Sequence, residues 1–163
     1  KINNVGRKKN MNECPSFPAF EITGRGDLSF HRTPDTFKTT TYLALLLEFY
    51  KDLKFYDSEG YRWSIETVTS GVKVTFLNKL LAHTIYNPIV PFTPHWRKDG
   101  SYKLEELKSL YIKAVRQDDD ILTQFVEEDG LIQRVNIARS IKDLISVAEW
   151  MEEDNLLGTD EDL

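Results

Sequence analysis

Apolar and polar residues alternate over much of the first two thirds of the chain and recur at helical spacing in the last third. Phe20, Ile22, Leu28 and Phe30 flank Gly24 and Gly26, a pattern that predicts two short strands joined by a tight connection. Thr33-Pro34-Asp35 reads as a helix start. Thr33 can cap, Pro34 gives up no useful N–H in the first turn, and Asp35 suits the positive helix end. The spacing of Phe37, Thr41, Leu45, Phe49 and Leu53 carries that helix to about Asp52, and Leu43, Leu47 and Tyr50 widen its apolar face. A hairpin follows. Residues 54–56 and 61–65 flank Asp57-Ser58-Glu59-Gly60, whose leading Asp and closing Gly suit a turn with a positive φ near its end. Tyr61, Trp63 and Ile65 alternate with Arg62, Ser64 and Glu66, the pattern of a half-buried strand. Val72, Val74 and Phe76 offer another strand. Pro88, Pro91 and Pro94 rule out a helix and argue against a central strand, leaving an edge strand or surface loop through Ile89, Val90 and Phe92.

From Ser101 the period becomes helical. Leu104, Leu107, Leu110, Tyr111, Ala114 and Val115 form one stripe. Asp118-Asp119-Asp120 precedes Ile121, Leu122, Phe125 and Val126, a segment that Gly130 is expected to stop. Ser140 with Asp143 has capping spacing ahead of Ile141, Leu144, Ile145, Ala148 and Met151. Strands and helices fall in blocks without regular alternation. The expected fold is therefore α+β: a single domain with an antiparallel sheet, one N-terminal helix and a helical C-terminal third. The polar, proline-punctuated residues 1–18 read as a flexible arm, 19–155 as the domain and 156–163 as an acidic tail.

Composition agrees with one domain. The chain has 163 residues, 40 % hydrophobic and 12 % aromatic, enough for a core and too apolar for global disorder. The longest apolar run, Tyr42 to Leu47, is far short of the roughly 20 residues a membrane helix needs, so no membrane partner is expected. Cys14 is the single cysteine, which excludes an internal disulfide or a multi-cysteine zinc site. With no signal-peptide pattern, the cytoplasm is the default compartment.

Charge changes the picture more. Residues 101–163 hold 16 acidic and 7 basic residues, whereas residues 1–100 hold 14 basic and 10 acidic, and the whole chain carries −5. That balance argues against general nucleic-acid binding. The helical third instead suggests a face for a basic protein partner, with Asp118, Asp119, Asp120, Glu127, Glu128, Asp129, Glu149, Glu152 and Glu153 as its carboxylates. Trp63, Trp96, Tyr102 and Tyr111 are the aromatic anchors to look for if any is exposed.

Catalytic signatures are absent: no nucleophile elbow, no phosphate-cradling glycine loop, no dinucleotide fingerprint. Asp118 to Asp120 would point about 100° apart on a helix, so they do not converge on a metal ion. His31, His83 and His95 make no metal-ligand spacing. His95 with Trp96, Arg97 and Lys98 is the most site-like short stretch, able to bind an anion or move a proton. Arg25-Gly26-Asp27 is an adhesion tripeptide that a turn between strands explains equally well. No cofactor or metal is expected. These observations support a non-catalytic protein-binding domain, in its most concrete form a small bacterial immunity or inhibitor protein that neutralises a basic toxin enzyme. The rival is a small hydrolase-like enzyme using His95 and Arg97; a concave pocket holding His95 or His31 near a carboxylate would favour it, and a flat or convex acidic patch would favour binding.

Overall fold

A computed structural model describes residues 13–72, 75, 77, 80, 82, 87–117 and 127–157, with the side chains of 151–157 left aside. Val74 and Phe76 of the expected further strand, residues 1–12 of the expected arm, His83, the segment from Asp118 to Val126 and the tail from residue 158 lie outside the described residues.

Strands β1 (Ala19–Ile22), β2 (Leu28–His31), β4 (Lys54–Asp57), β5 (Tyr61–Thr69) and β7 (Thr93–Ser101) form a five-stranded sheet in the order β2-β1-β4-β5-β7. Every neighbouring pair in it is antiparallel. Strands β3 (Thr39–Thr41) and β6 (Ile89–Pro91) pair separately. The chain is thus α+β, as the block pattern indicates. Pro94 sits in β7, an edge strand, where proline is tolerated in a sheet.

The β4–β5 turn closes as its residues dictate. The Asp57 carboxylate accepts from the Glu59 and Tyr61 N–H groups at 3.0 and 2.7 Å, and Gly60 takes φ 89°. Asp57 also accepts from Trp63 Nε1 at 2.7 Å, and its backbone carbonyl accepts from the Tyr102 hydroxyl at 2.7 Å. One buried carboxylate therefore fixes the turn and orients a core tryptophan.

Both faces of the sheet are covered, which corrects the expectation of a half-buried strand. Phe20, Ile22, Leu28 and Tyr56 point to one face, where they pack with the C-terminal helices. Phe55, Trp63 and Ile65 point to the other and pack with Phe37. Ser64 is consequently buried too, although alternation places it outward.

On the first face lie α2 (Leu104–Gln117), α3 (Glu128–Ile137) and α4 (Ile141–Leu157). The predicted stripe is the buried one: Leu107, Tyr111, Ala114 and Val115 on α2 meet Leu131 and Val135 of α3 and Leu144 and Ala148 of α4. Gly130 does not stop a helix but lies in the first turn of α3, where burial of Leu131 and Val135 outweighs the ~1 kcal/mol propensity cost of glycine. Ser140 and Asp143 form the reciprocal cap: Asp143 N–H donates to Ser140 Oγ at 3.1 Å, and the Asp143 carboxylate accepts from the Arg139 and Ser140 N–H groups at 2.7 and 3.0 Å.

The largest correction concerns residues 33–52. The expected continuous helix is a 3-10 turn (Pro34–Phe37), strand β3, a five-residue helix α1 (Tyr42–Leu46) and a second 3-10 turn (Phe49–Asp52). Thr33 does cap the first turn, accepting from Asp35 N–H. The β-branched run Thr39-Thr40-Thr41 then favours an extended backbone and pairs with β6, and Thr41 caps the next helix by accepting from Ala44 N–H at 3.2 Å. Glu48 ends that helix with φ 53°, the left-handed conformation. These short pieces form the opposite layer and wall a cleft.

Candidate functional site

Glu21 lies in the middle of β1 and His31 ends β2. Pairing of Glu21 with Ser29 and of Ala19 with His31 puts both side chains on the face opposite Phe20 and Phe30. There His31 Nε2 lies 2.9 Å from Glu21 Oε2, and His31 Nδ1 lies 3.2 Å from Thr36 Oγ1. With Nε2–H donating to the carboxylate, Nδ1 is left to accept the threonine hydroxyl. The Phe37 ring packs edge-on against the imidazole, 4.7 Å between centroids.

This trio stands at one end of a cleft of about 260 Å3. Phe37, Leu45, Phe49, Tyr50, Leu53 and Phe92 supply most of its apolar wall. The left-handed turn at Glu48 starts the 3-10 turn that carries Phe49 and Tyr50 into that wall. Burial, reinforced by the Glu48 charge, raises the Tyr50 hydroxyl above the usual tyrosine value, so it remains a neutral donor. The sequence made a concave pocket holding His31 near a carboxylate the mark of the enzyme reading, and His31 beside Glu21 in this cleft meets that description; Glu21 and Thr36 themselves were not named. The signal was faint: a carboxylate between Phe20 and Ile22, and a histidine one strand away, meaningful only once the hairpin register is known.

The His95 stretch lies on the edge strand and lines no part of this cleft. His95 is exposed and bonds Thr69 Oγ1 through Nε2 at 2.6 Å. Arg97 Nε is held by Asp99 at 2.8 Å, and Lys98 Nζ sits 3.6 Å from the centre of the Tyr61 ring. Trp96 packs edge-on against Phe55, 4.8 Å between centroids, on the aromatic face where Lys98 Nζ also lies 4.9 Å from the centre of the Trp63 ring, whereas His95 and Arg97 fall on the other face. The strand's alternation thus divides the four residues instead of converging them.

The expected aromatic anchors belong to the interior. Trp63, Tyr102 and Tyr111 are 3 %, 8 % and 1 % exposed, and Trp96 is half-buried in the aromatic cluster. Burial raises the Tyr102 and Tyr111 hydroxyls well above the ordinary tyrosine value. Arg25 and Asp27 are exposed in the β1–β2 turn, where the Asp27 carboxylate accepts from the Thr23 hydroxyl at 2.8 Å and so is partly tied to its own loop.

The acidic residues divide unequally. Glu127, Glu128 and Asp129 are exposed at the start of α3, whereas Glu149 is half-buried on α4. Arg134 of α3 lies over the Trp150 ring of α4, 4.0 Å from its centroid. Glu152 and Glu153 fall in the last turns of α4, among the residues whose side chains are left aside. Lys108 is turned inward, donating to the Asn136 carbonyl at 3.0 Å and pairing with Glu105 at 3.2 Å.

Among the described residues, no group of three or more His, Cys, Asp or Glu side chains could hold a metal ion, and no helix is long and apolar enough to cross a membrane. The chain matches no family model, no curated protein and no solved structure.

Proposed function

We propose that the protein is a non-catalytic binding domain that grips a basic protein partner at one end of its helical layer. The observation that supports this reading is the run Glu127, Glu128 and Asp129, all three exposed at the start of α3. Glu149, Glu152, Glu153 and Asp154 of α4 add to the net negative charge of the same third of the chain, which favours a cationic partner. Asp118 to Asp120 follow α2 in the connection that leads to α3 and add to the charge of that part of the chain. Of the seven cations in the same block, Lys108 and Arg134 are engaged by neighbours within the layer.

In its most concrete form the partner is a toxin enzyme whose lysines and arginines bind a phosphate backbone, and the carboxylates compete for those cations. Buried Trp63, Tyr102 and Tyr111 take no part. The hydrolase alternative gains no support from His95 and Arg97 on an exposed edge strand; what favours it is His31 beside Glu21 in the cleft. The test compares the wild-type chain with a variant carrying E127Q, E128Q, D129N, E152Q, E153Q and D154N. Both are used to capture proteins from native lysate of the source cell at low and at moderate salt. The expected result is a basic protein retained by the wild type at both salts and lost from the variant. Retention of nothing, or equal retention by the two chains, overturns the reading.

A further inference from the structure

The cleft on the other face of the sheet is independent of the acidic helix end and has its own chemistry. Glu21 is the only Asp, Glu, Lys or Arg among the described residues that line it. Its side chain is 13 % exposed, and the contact with His31 engages Oε2 alone. An ionised carboxylate has about four acceptor positions over two oxygens, so an imidazole N–H leaves most of that capacity unused. A carboxylate withdrawn this far from water gains most from a partner that brings positive charge as well as a hydrogen bond.

The rest of the lining points the same way. Phe49 is 55 % exposed at the cleft, and Tyr50 and Phe92 add further rings. Aromatic faces attract organic cations and offer nothing to an anion. Leu45 and Leu53 provide aliphatic surface, and Thr36, Thr39 and Thr40 provide hydroxyls near the polar end. With no lysine or arginine in the described lining, a carboxylate or phosphate ligand would face the Glu21 carboxylate with the His31 imidazole as the sole basic group beside it. At about 260 Å3 the cavity is just below the ~300–1,000 Å3 typical of drug-sized sites, which suits a small amine and excludes a nucleotide.

We propose that this cleft binds a small organic cation, an alkyl or aralkyl ammonium whose N–H groups reach Glu21 and whose hydrocarbon body lies on Leu45, Phe49 and Leu53. His31 is a positioning residue: held between Glu21 and Thr36, it fixes the direction of the carboxylate. No covalent step is involved.

The test is a calorimetric titration of the full chain with three probes of equal size and different head group: 2-phenylethylammonium, 2-phenylethanol and phenylacetate. The ammonium should bind saturably, the alcohol at least about tenfold more weakly, and the acid not at all. E21Q should abolish the preference of ammonium over alcohol while the near-ultraviolet circular dichroism stays native. Equal binding of ammonium and alcohol, tighter binding of the acid, or no saturation by about 10 mM ammonium overturns the proposal. So does binding of a lysine-containing peptide in the absence of binding by the free amine, which would make the cleft a protein-docking pocket. If E21Q does not fold, the three-probe series on the wild type decides alone.

Discussion

The two layers against the central sheet are built on different principles. The helical layer is periodic: α2, α3 and α4 each present a stripe to one continuous core, and Leu107, Leu131 and Leu144 have no exposed surface. The opposite layer consists of short pieces, none longer than five residues between Pro34 and Asp52, packed around rings instead of aliphatic stripes. The helical layer fills its space, whereas the other leaves a cleft and shows Leu47 and Phe49 to solvent. Regular packing suits stability and displays only its outer surface. Irregular packing leaves room for a ligand, which is why the cleft lies on that side.

Asp57 joins the two layers, and removing it should have the largest effect. D57A strands the Trp63 indole N–H on one face and frees the Glu59 and Tyr61 N–H groups of the turn. Losing hydrogen bonds to a charged acceptor, each worth roughly 1.5–3 kcal/mol, should cost about 4 kcal/mol in urea unfolding. Tryptophan fluorescence should report the loss together with far-ultraviolet circular dichroism. If the two signals separate, the layers unfold independently and Asp57 serves only one of them.

A pair of truncations sharpens the contrast directly. L144A opens a cavity in the helical core and should cost about 3 kcal/mol. F49A removes a ring that is 55 % exposed and should change stability by no more than about 0.5 kcal/mol. The same F49A should weaken ammonium binding in the cleft, whereas L144A should leave it unchanged in conditions where the variant is folded. Comparable destabilisation by both variants would mean that the open layer is as tightly packed as the helical one.

Legibility in the sequence follows the same division. The stripe of α2, the Ser140–Asp143 cap and the Asp57–Gly60 turn could be read because each depends on neighbours within a few residues. Residues 33–52 could not, because period alone does not separate a helix from broken segments with apolar residues at similar intervals. The deciding contact, β3 with β6, comes from about 50 residues further on. Glu21 and His31 are ten residues apart and meet only through the β1–β2 register. The charge of the last third was legible as a total, but which carboxylates stand exposed at a helix start, as Glu127 to Asp129 do, was not. The aromatic anchors failed for a related reason: Trp63 alternates as expected, yet both sheet faces are covered.

The smallest effect compares one carboxylate from each part of the molecule. Backbone N–H groups of Arg139 and Ser140, with the Ser140 hydroxyl, hold the Asp143 carboxyl below its usual value at the start of α4. At the sheet edge, burial pushes the Asp99 carboxyl up. The hydrogen bond from Arg97 and the charges of Lys54 and Arg97 outweigh that push, leaving it lowered. For both groups the folded value lies below the unfolded one, so the stability each contributes is present above about pH 4. It is lost as pH falls through the folded value. D143N and D99N should therefore each flatten the decline in unfolding midpoint between about pH 4 and pH 2. Salt separates them. The Asp99 contribution rests partly on charges of Lys54 and Arg97 at a half-open edge and should shrink at high ionic strength, whereas the cap at Asp143 rests mainly on backbone donors and should persist. Equal salt sensitivity would show that the edge carboxylate, too, is held chiefly by hydrogen bonds, and the two parts of the molecule would then differ in packing but not in electrostatics.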